Sequence, residues 1–309
     1  MNFAAKIENN YELCIMNYKL FRNFDFVEDT LARKYSNKFG ILLAYSYLCS
    51  MNEKNRISVV INTYNAEQHL EAVLESVKDF DEVLICDMES TDRTLDIARQ
   101  YGCRITTVER GSYTIVEPVR EYAIHEAVHP WVLVVDADEV VPAQLKDFLY
   151  RMVEEGNAPD GLFIPRKNYF MGRLMRCHYP DHILRFFRKD RVHWPPYVHS
   201  TPEIAGRVET IPAKRRELAF EHLANDSVAD IVRKTNQYTL NELERKRHRH
   251  YGAMAFVWRP FFRFFKTYIL KGGILDGTPG FIKSVLDGYY QFVFLAKKYE
   301  EEVQEVQKV

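Results

Sequence analysis

The sequence predicts an α/β fold, in which a mostly parallel sheet is flanked by helices and followed by a helical C-terminal extension. Three observations predict it. Strand-type runs that are apolar on both faces recur from Arg56 onward, segments with helical periodicity separate them, and several of the runs end in polar residues. In such a sheet the ligand crevice lies beyond the carboxyl ends of the strands.

Residues 1–55 are aromatic and mixed in charge, with Val27, Leu31, Tyr35, Leu42 and Leu43 loosely at helical spacing, which predicts one or two helices in an appendage. "RISVVINTYN" then reads as a buried strand. Asn65 with Gln68 three residues on has the form of a capping box opening a helix whose Leu70, Val73, Leu74 and Val77 share one face. "EVLICD" is the second strand, "MESTD" supplies polar helix-starting residues, and "TLDIARQYG" is a short helix closed by Gly102. A third cycle follows. "CRITTVE" is a strand, "PVREYAIHEAVH" a helix opened by Pro118, and "WVLVVDADE" the next strand. The catalytic unit is expected over 56–230, and 231–309 as a basic, aromatic helical tail.

Composition narrows the function classes. With 309 residues, 47% hydrophobic and 28% charged, the chain is globular and long enough for one large domain plus an appendage. A formal net charge of -1 gives no global reason to bind nucleic acid. Its five cysteines are scattered without CxxC spacing, which argues against a disulfide framework or a zinc site and fits a reducing cytoplasm. The apolar stretch "FGILLAYSYL" is too short to span a bilayer.

Three strand ends aim polar groups at one edge: Thr63, Tyr64 and Asn65 after the first, Asp87 on the second, Asp136 and Asp138 on the fourth. Asp136 and Asp138 are two apart, so in extended conformation their side chains share a face, and a cation is expected to compensate their repulsion. Carboxylates without cysteine suit a hard ion, Mg2+ or Mn2+, whose shell is completed by phosphate oxygens and water. Taken alone, DADE serves equally well as the acidic first turn of the following helix.

"ISVVINTYNAEQHLEAVLESV", "EVLICDMESTDRTLDIA" and "WVLVVDADE" resemble the opening segment, the D-x-G-S-T-D-x-T segment and the DxD of family 2 glycosyltransferases with the Rossmann-like GT-A fold. "KNYFMGRLMRCHYPDHILRFFRKDRVHW", "VHS", "EHLANDSVADIVRKTNQYT" and the segment from Arg259 to Glu300 are similar to the bacterial subgroup that includes lipopolysaccharide-core β-1,4-glucosyltransferases. The resemblance implies that Asp87 contacts the nucleoside of a nucleotide-diphosphate sugar, that Asp136 lies near the ribose or metal, and that Asp138 binds the divalent ion. Thr63, Tyr64, Asn65, Arg120 and Ala137 are expected to complete the donor site. Two departures stand out: Glu89 where the family usually has Gly, and Glu121 after Arg120 where Asn is common. Family members commonly start shortly before the first strand, so residues Met1 to Ser50 read either as an added helical unit or as an over-extended reading frame with Met51 as the true start.

The resemblance assigns Asp181, in "HYPDHILRFFRK", as the base of an inverting transfer, which must lie within reach of the acceptor hydroxyl. The alternative is a carboxylate paired with Arg185 one helical turn away. Arg185 and Arg188 suit a diphosphate or an anionic acceptor, or else a solvated basic face. His199 is expected as a further metal ligand and His222 near the diphosphate or acceptor, against the ordinary role of histidine as a satisfied structural residue. Trp194 either stacks on a sugar or packs in the core.

"ERKRHRH" and "WRPFFRFFKTYILK" interleave cations with aromatics. Such a helix suits an anionic membrane surface, while the alternative is two helices packing their aromatics on the catalytic unit. "GGILDGTPG" is expected to be a loop between the two C-terminal helices. The resulting expectation is a metal-dependent inverting transferase moving a hexose, with glucose favoured, to a lipid-linked glycan such as lipopolysaccharide core, peripheral on the inner face of a bacterial inner membrane. Its rivals are transfer to polyprenyl phosphate and a nucleotide-sugar-binding subunit without turnover. A nucleotidyltransferase is disfavoured, because no glycine-rich phosphate loop is present. The sequence leaves the oligomeric state open.

Overall fold

A computed structural model describes residues 53–111, 117–195, 201–224 and 227–307. The expected appendage, apart from its last residues, and His199 lie outside them. β1 (Ile57–Thr63) is buried along its whole length, as a central parallel strand must be. It is flanked by β2 (Glu82–Asp87) on one side and β4 (Trp131–Asp136) on the other, both parallel to it, and β3 (Arg104–Thr107) extends the sheet beyond β2. Helices α1 (Glu67–Val77), α2 (Thr94–Gln100) and α3 (Glu117–Glu126) make the crossovers. Leu70, Val73, Leu74 and Val77 of α1 are buried as their spacing predicts.

The start of α1 differs from the expected capping box. Asn65 takes a left-handed φ of 47°, and its Oδ1 accepts a hydrogen bond from the Thr91 amide instead of capping its own helix. The first helical amides are satisfied from the neighbouring loop: Ala66 N–H donates to Thr94 Oγ1 at 2.8 Å and Glu67 N–H to Asp92 Oδ2 at 3.1 Å. Two loops are thereby locked together where the crevice begins.

Past β4 the sheet changes direction. β5 (Glu139–Val140) and α4 (Ala143–Glu154) lead into β6 (Gly161–Phe170), which pairs antiparallel with the short β7 (Arg173–Leu174) and with β8 (Asp181–Arg188). β8 in turn pairs antiparallel with β4. The segment "DHILRFFR" is therefore a strand and not a helical turn, with Phe186 and Phe187 buried on its two faces. β9 (Val192–His193) and β10 (Glu203–Ile204) form a small separate ribbon. β11 (Val208–Thr210) and β12 (Phe220–His222) run parallel to β6, and β12 also pairs antiparallel with β5. The main sheet reads β3-β2-β1-β4-β8-β6-β12-β5, parallel to β4 and mixed beyond it.

The extension holds α5 (Val228–Arg245), α6 (Ala255–Phe265) and α7 (Gly277–Gln307). The expected loop between the last two is a tight turn at Gly273–Asp276 after Gly272 in the left-handed region. α6 packs on α7 through Phe256 against Phe292 and Tyr299, and Phe264 against Phe281. Close approach is required there. A Cβ on Gly288 would meet the Pro260 carbonyl at 3.0 Å. Among the described residues no helix is long and apolar enough to cross a membrane.

Candidate active site

Register places the predicted polar strand ends in one row. Thr63 is level with Asp87 and Asn62 with Asp136, so the carboxyl ends of β1, β2 and β4 form a common rim. Asp87 is fully buried there. Thr63 Oγ1 donates to its Oδ1 at 2.7 Å, the Ser90 hydroxyl to the same oxygen at 2.6 Å, and the Ser90 amide to Oδ2 at 2.8 Å. These bonds hold the loop that carries Asn65. Glu89 sits at a φ of 59°, which explains physically why glycine suits that place. Its Oε2 accepts from the Arg110 amide at 3.2 Å, and the Arg110 guanidinium lies 3.6 Å over the half-exposed Tyr64 ring.

The two DxD carboxylates do not share one face or one compensating charge. β4 ends at Asp136, and Asp138 lies in the turn beyond it. Asp136 is clamped by two arginines: Arg120 donates to Oδ1 at 2.7 Å and Arg185 to Oδ2 at 2.5 Å. Burial raises its pKa, but the adjacent Arg120 and Arg185 guanidinium groups outweigh that and hold the carboxyl far below the usual range. In this structure the compensation expected from a shared dication is supplied to Asp136 by Arg120 and Arg185. Both arginines lie against Trp194, which is buried in the core with Phe187. Core packing, not an exposed sugar platform, is the place of Trp194.

Asp138 meets His222, whose Nε2 is 3.3 Å from its Oδ2. Backbone pairing of β12 with β5 creates this encounter, reinforced by Leu223 N–H donating to the Asp138 carbonyl at 2.7 Å. His222 Nδ1 lies 2.8 Å from Asn168 Oδ1, while Asn168 Nδ2 donates to Asp181 Oδ2 at 3.0 Å. The amide orientation follows from that second bond, since the carboxylate only accepts, so Nδ1 must carry the proton. The contact is closed either by a proton on Nε2 donated to the carboxylate or by a hard cation, for which one imidazole nitrogen and one carboxylate oxygen are fitting donors.

Asp181 opens β8 and is gripped on one oxygen. Arg166 Nε and Nη2 reach Oδ2 at 3.0 and 2.7 Å, and the Arg166 Nη1 bonds the fully buried Glu139 at 2.8 Å. Burial pushes the Asp181 pKa up, yet Arg166 and Asn168 together pull it below the ordinary value, so the group stays ionised. Its partner is Arg166 and not Arg185. The bonds from Arg166 and Asn168 fall on Oδ2.

Other expected residues disperse. Arg188 pairs with Asp190 on the surface, and Ala137 packs against the core. Glu121 accepts from the Trp194 amide and faces His193 at 3.2 Å, which ties α3 to the segment after β9. Arg166, Asn168 and Glu139 are central residues that local pattern did not single out. Among the described residues no group of three or more His, Cys, Asp or Glu could hold a metal, so a cation here would take Asp138 and His222 plus non-protein oxygens.

Residues 58–207 match Glycosyl transferase family 2. A protein named "Uncharacterized glycosyltransferase" from Rickettsia felis is 26% identical over 259 residues, which are 78% of this chain and 89% of that one. "Lipopolysaccharide core biosynthesis glycosyltransferase LpsC" of Rhizobium meliloti is 25% identical over 270 residues, covering 81% of this chain and 94% of its own length. Among solved structures, a Pyrobaculum calidifontis mannosyltransferase in complex with GDP-Man and Mn2+ is 15% identical, with 79% of this chain and 87% of that chain covered at a TM-score of 0.49.

Proposed function

From the premise that this chain is a family 2 glycosyltransferase, we propose that it is a metal-dependent, inverting hexosyltransferase. It takes its sugar from a nucleotide diphosphate and delivers it to a lipid-linked glycan such as lipopolysaccharide core. The observation that carries this reading is the convergence of Asp138, His222, Asn168 and Asp181 beside the β1–β2–β4 rim.

In this reading Tyr64, Asn65 and Arg110 border the nucleoside, and Asp87 acts from beneath by holding their loop through Thr63 and Ser90. Asp136, fixed by Arg120 and Arg185, forms a rigid wall on the ribose side. Asp138 and His222 would hold Mg2+ or Mn2+, which when bound offsets charge on the leaving diphosphate. Asp181 keeps Oδ2 on Arg166 and uses Oδ1 to accept the proton of the attacking hydroxyl. Its low pKa keeps it ionised, and the transition state, in which that hydroxyl becomes acidic, gives it a proton to take. A single displacement needs no enzyme nucleophile.

Membrane attachment belongs to the same proposal. On α6 and the turn that follows, Trp258, Phe261, Phe262 and Leu270 are exposed beside Arg259, Arg263, Lys266 and Lys271. An apolar face edged by cations suits the headgroup layer of an anionic leaflet. The test is donor turnover by purified protein. Nucleotide-sugar hydrolysis or transfer that needs Mn2+ and disappears in Asp138→Asn supports the reading, and metal-independent turnover equal in both proteins contradicts it.

A further inference from the structure

Glu139, the last residue of DADE, is fully buried, and a carboxylate is costly to bury unless it is paired and hydrogen-bonded. Its two oxygens serve different partners. Oε2 accepts from the Asp136 amide at 3.1 Å, which braces the turn that carries Asp138, and Oε1 accepts from Arg166 Nη1 at 2.8 Å. Arg166 passes the contact on, because its Nε and Nη2 both donate to Asp181 Oδ2, at 3.0 and 2.7 Å. The backbone adds a further link: Glu139 on β5 is the register partner of His222 on β12. One residue therefore joins the turn of Asp138, the strand of His222 and, through a single guanidinium, the carboxylate of Asp181.

Burial opposes the charge on Arg166, yet Glu139 and then Asp181 outweigh it and keep the guanidinium firmly protonated. Geometry matters as much as charge. The donors of a guanidinium lie in one fixed plane, so once Nη1 is set on Glu139 the Nε–Nη2 edge is aimed in one direction. That edge grips Oδ2 and leaves Oδ1 outside the Arg166 fork. Because a buried ion pair seldom adds stability over apolar side chains of similar volume, orientation is the more specific thing this pair supplies. We infer that Glu139 is a positioning residue for the transfer: through Arg166 it fixes the Asp181 carboxylate relative to the turn that holds Asp138, so that base and donor seat keep one mutual geometry. This rests on the role of Asp181 proposed above. Glu139 also takes a share of the Arg166 charge. Without that share the whole guanidinium charge falls on Asp181 and makes its carboxylate a weaker proton acceptor.

The test is a double-mutant cycle on the full chain, read in UDP-glucose turnover and in Mn2+-dependent UDP binding. Glu139→Gln is nearly isosteric. Its amide oxygen still accepts from the Asp136 amide, but its NH2 then meets Arg166 donor to donor, which breaks the link. kcat should fall about 10- to 100-fold while donor KM and UDP affinity stay within about threefold, the split expected of a residue that acts on the chemical step. In the Asp181→Asn background the same change should cost less than about twofold, because the carboxylate that Glu139 positions is gone. Arg166→Lys, which keeps the charge without the fork, should reproduce both results and decides the matter where Glu139→Gln folds poorly. Native kcat in either folded variant overturns the inference. So does a further loss in Asp181→Asn as large as that in the native chain, or a fall in UDP binding that accounts for the lost turnover. Failure of the base role looks different: Asp181→Asn itself then keeps native turnover.

Discussion

The sheet and the extension use the same aromatic residues in opposite ways. In the sheet, Phe186, Phe187 and Phe220 are fully buried and fill the two cores on either face. On α6, Trp258 and Phe261 are each 58% exposed and no residue of the helix is buried. Core aromatics stabilise by leaving water, at roughly 25 cal/mol per Å² of apolar surface. The outer face of α6 forgoes that gain, and a contiguous apolar patch left in water marks a surface that meets something else. Charged groups are paired in both regions: at the rim Asp136 is held by Arg120 and Arg185, and in the extension Asp287 is approached by Lys283 and Arg263 while Glu242 pairs with Lys246.

The largest effect should come from the rim. Asp181→Asn is expected to lower kcat by about 10²–10⁴-fold with little change in donor affinity, as loss of a general base does. Steady-state kinetics check it. Next comes the Asp136 clamp: Arg185→Ala leaves a half-buried carboxylate with Arg120 alone and should cost about 1–3 kcal/mol in urea denaturation. A change within about 0.5 kcal/mol would show that the clamp is not structural.

The extension should respond in the opposite manner. Replacing Trp258, Phe261 and Phe262 together by Ser should abolish sedimentation with anionic vesicles and leave thermal stability nearly unchanged, because these side chains bury little in the free protein. A large fall in melting temperature would instead assign them to a core. Binding that survives should weaken as salt rises, since cations contribute to it.

Acid sharpens the contrast again. Asp136 and Asp181 are both held below the ordinary carboxylate value of about 3.9. Their contribution to stability is complete above the unfolded pKa and is lost as pH falls through the lower folded values. Urea midpoints should therefore hold down to about pH 4 and drop below it, and Arg166→Gln, which lets the folded value of Asp181 rise toward the unfolded one, should lower stability above pH 4 and make the drop below it smaller. The smallest effect is expected at Glu89→Gly, where relief of a left-handed φ, set against the greater freedom of glycine when unfolded, should stabilise by no more than about 1 kcal/mol.

The legible part of the fold was the part written in local periodicity. β1 through β4 and the helices between them follow from runs of buried apolar residues and helix signals a few positions long. Beyond β4, strands of two or three residues such as β5 and β12 owe their existence to pairing with distant chain, so a single short window does not reveal them. The candidate site divides the same way. Register alone lines up Thr63, Asp87 and Asp136, but the clamp on Asp136 comes from residues 16 and 49 positions away, and the His222–Asp138 encounter needs the β12–β5 pair. Two-residue spacing suggested that Asp136 and Asp138 act as one unit; the strand ends between them, and each turns to a different partner.

In the proposed mechanism Asp138 and His222 form a cation-dependent seat for a nucleotide diphosphate. Calorimetry of UDP binding with and without Mn2+, in the native chain and in His222→Ala, tests it most directly. Mn2+ should tighten UDP binding in the native chain by more than about tenfold, or about 1.4 kcal/mol, and most of this enhancement should be lost in the variant. Equal UDP affinity with and without the ion in the native chain would contradict it.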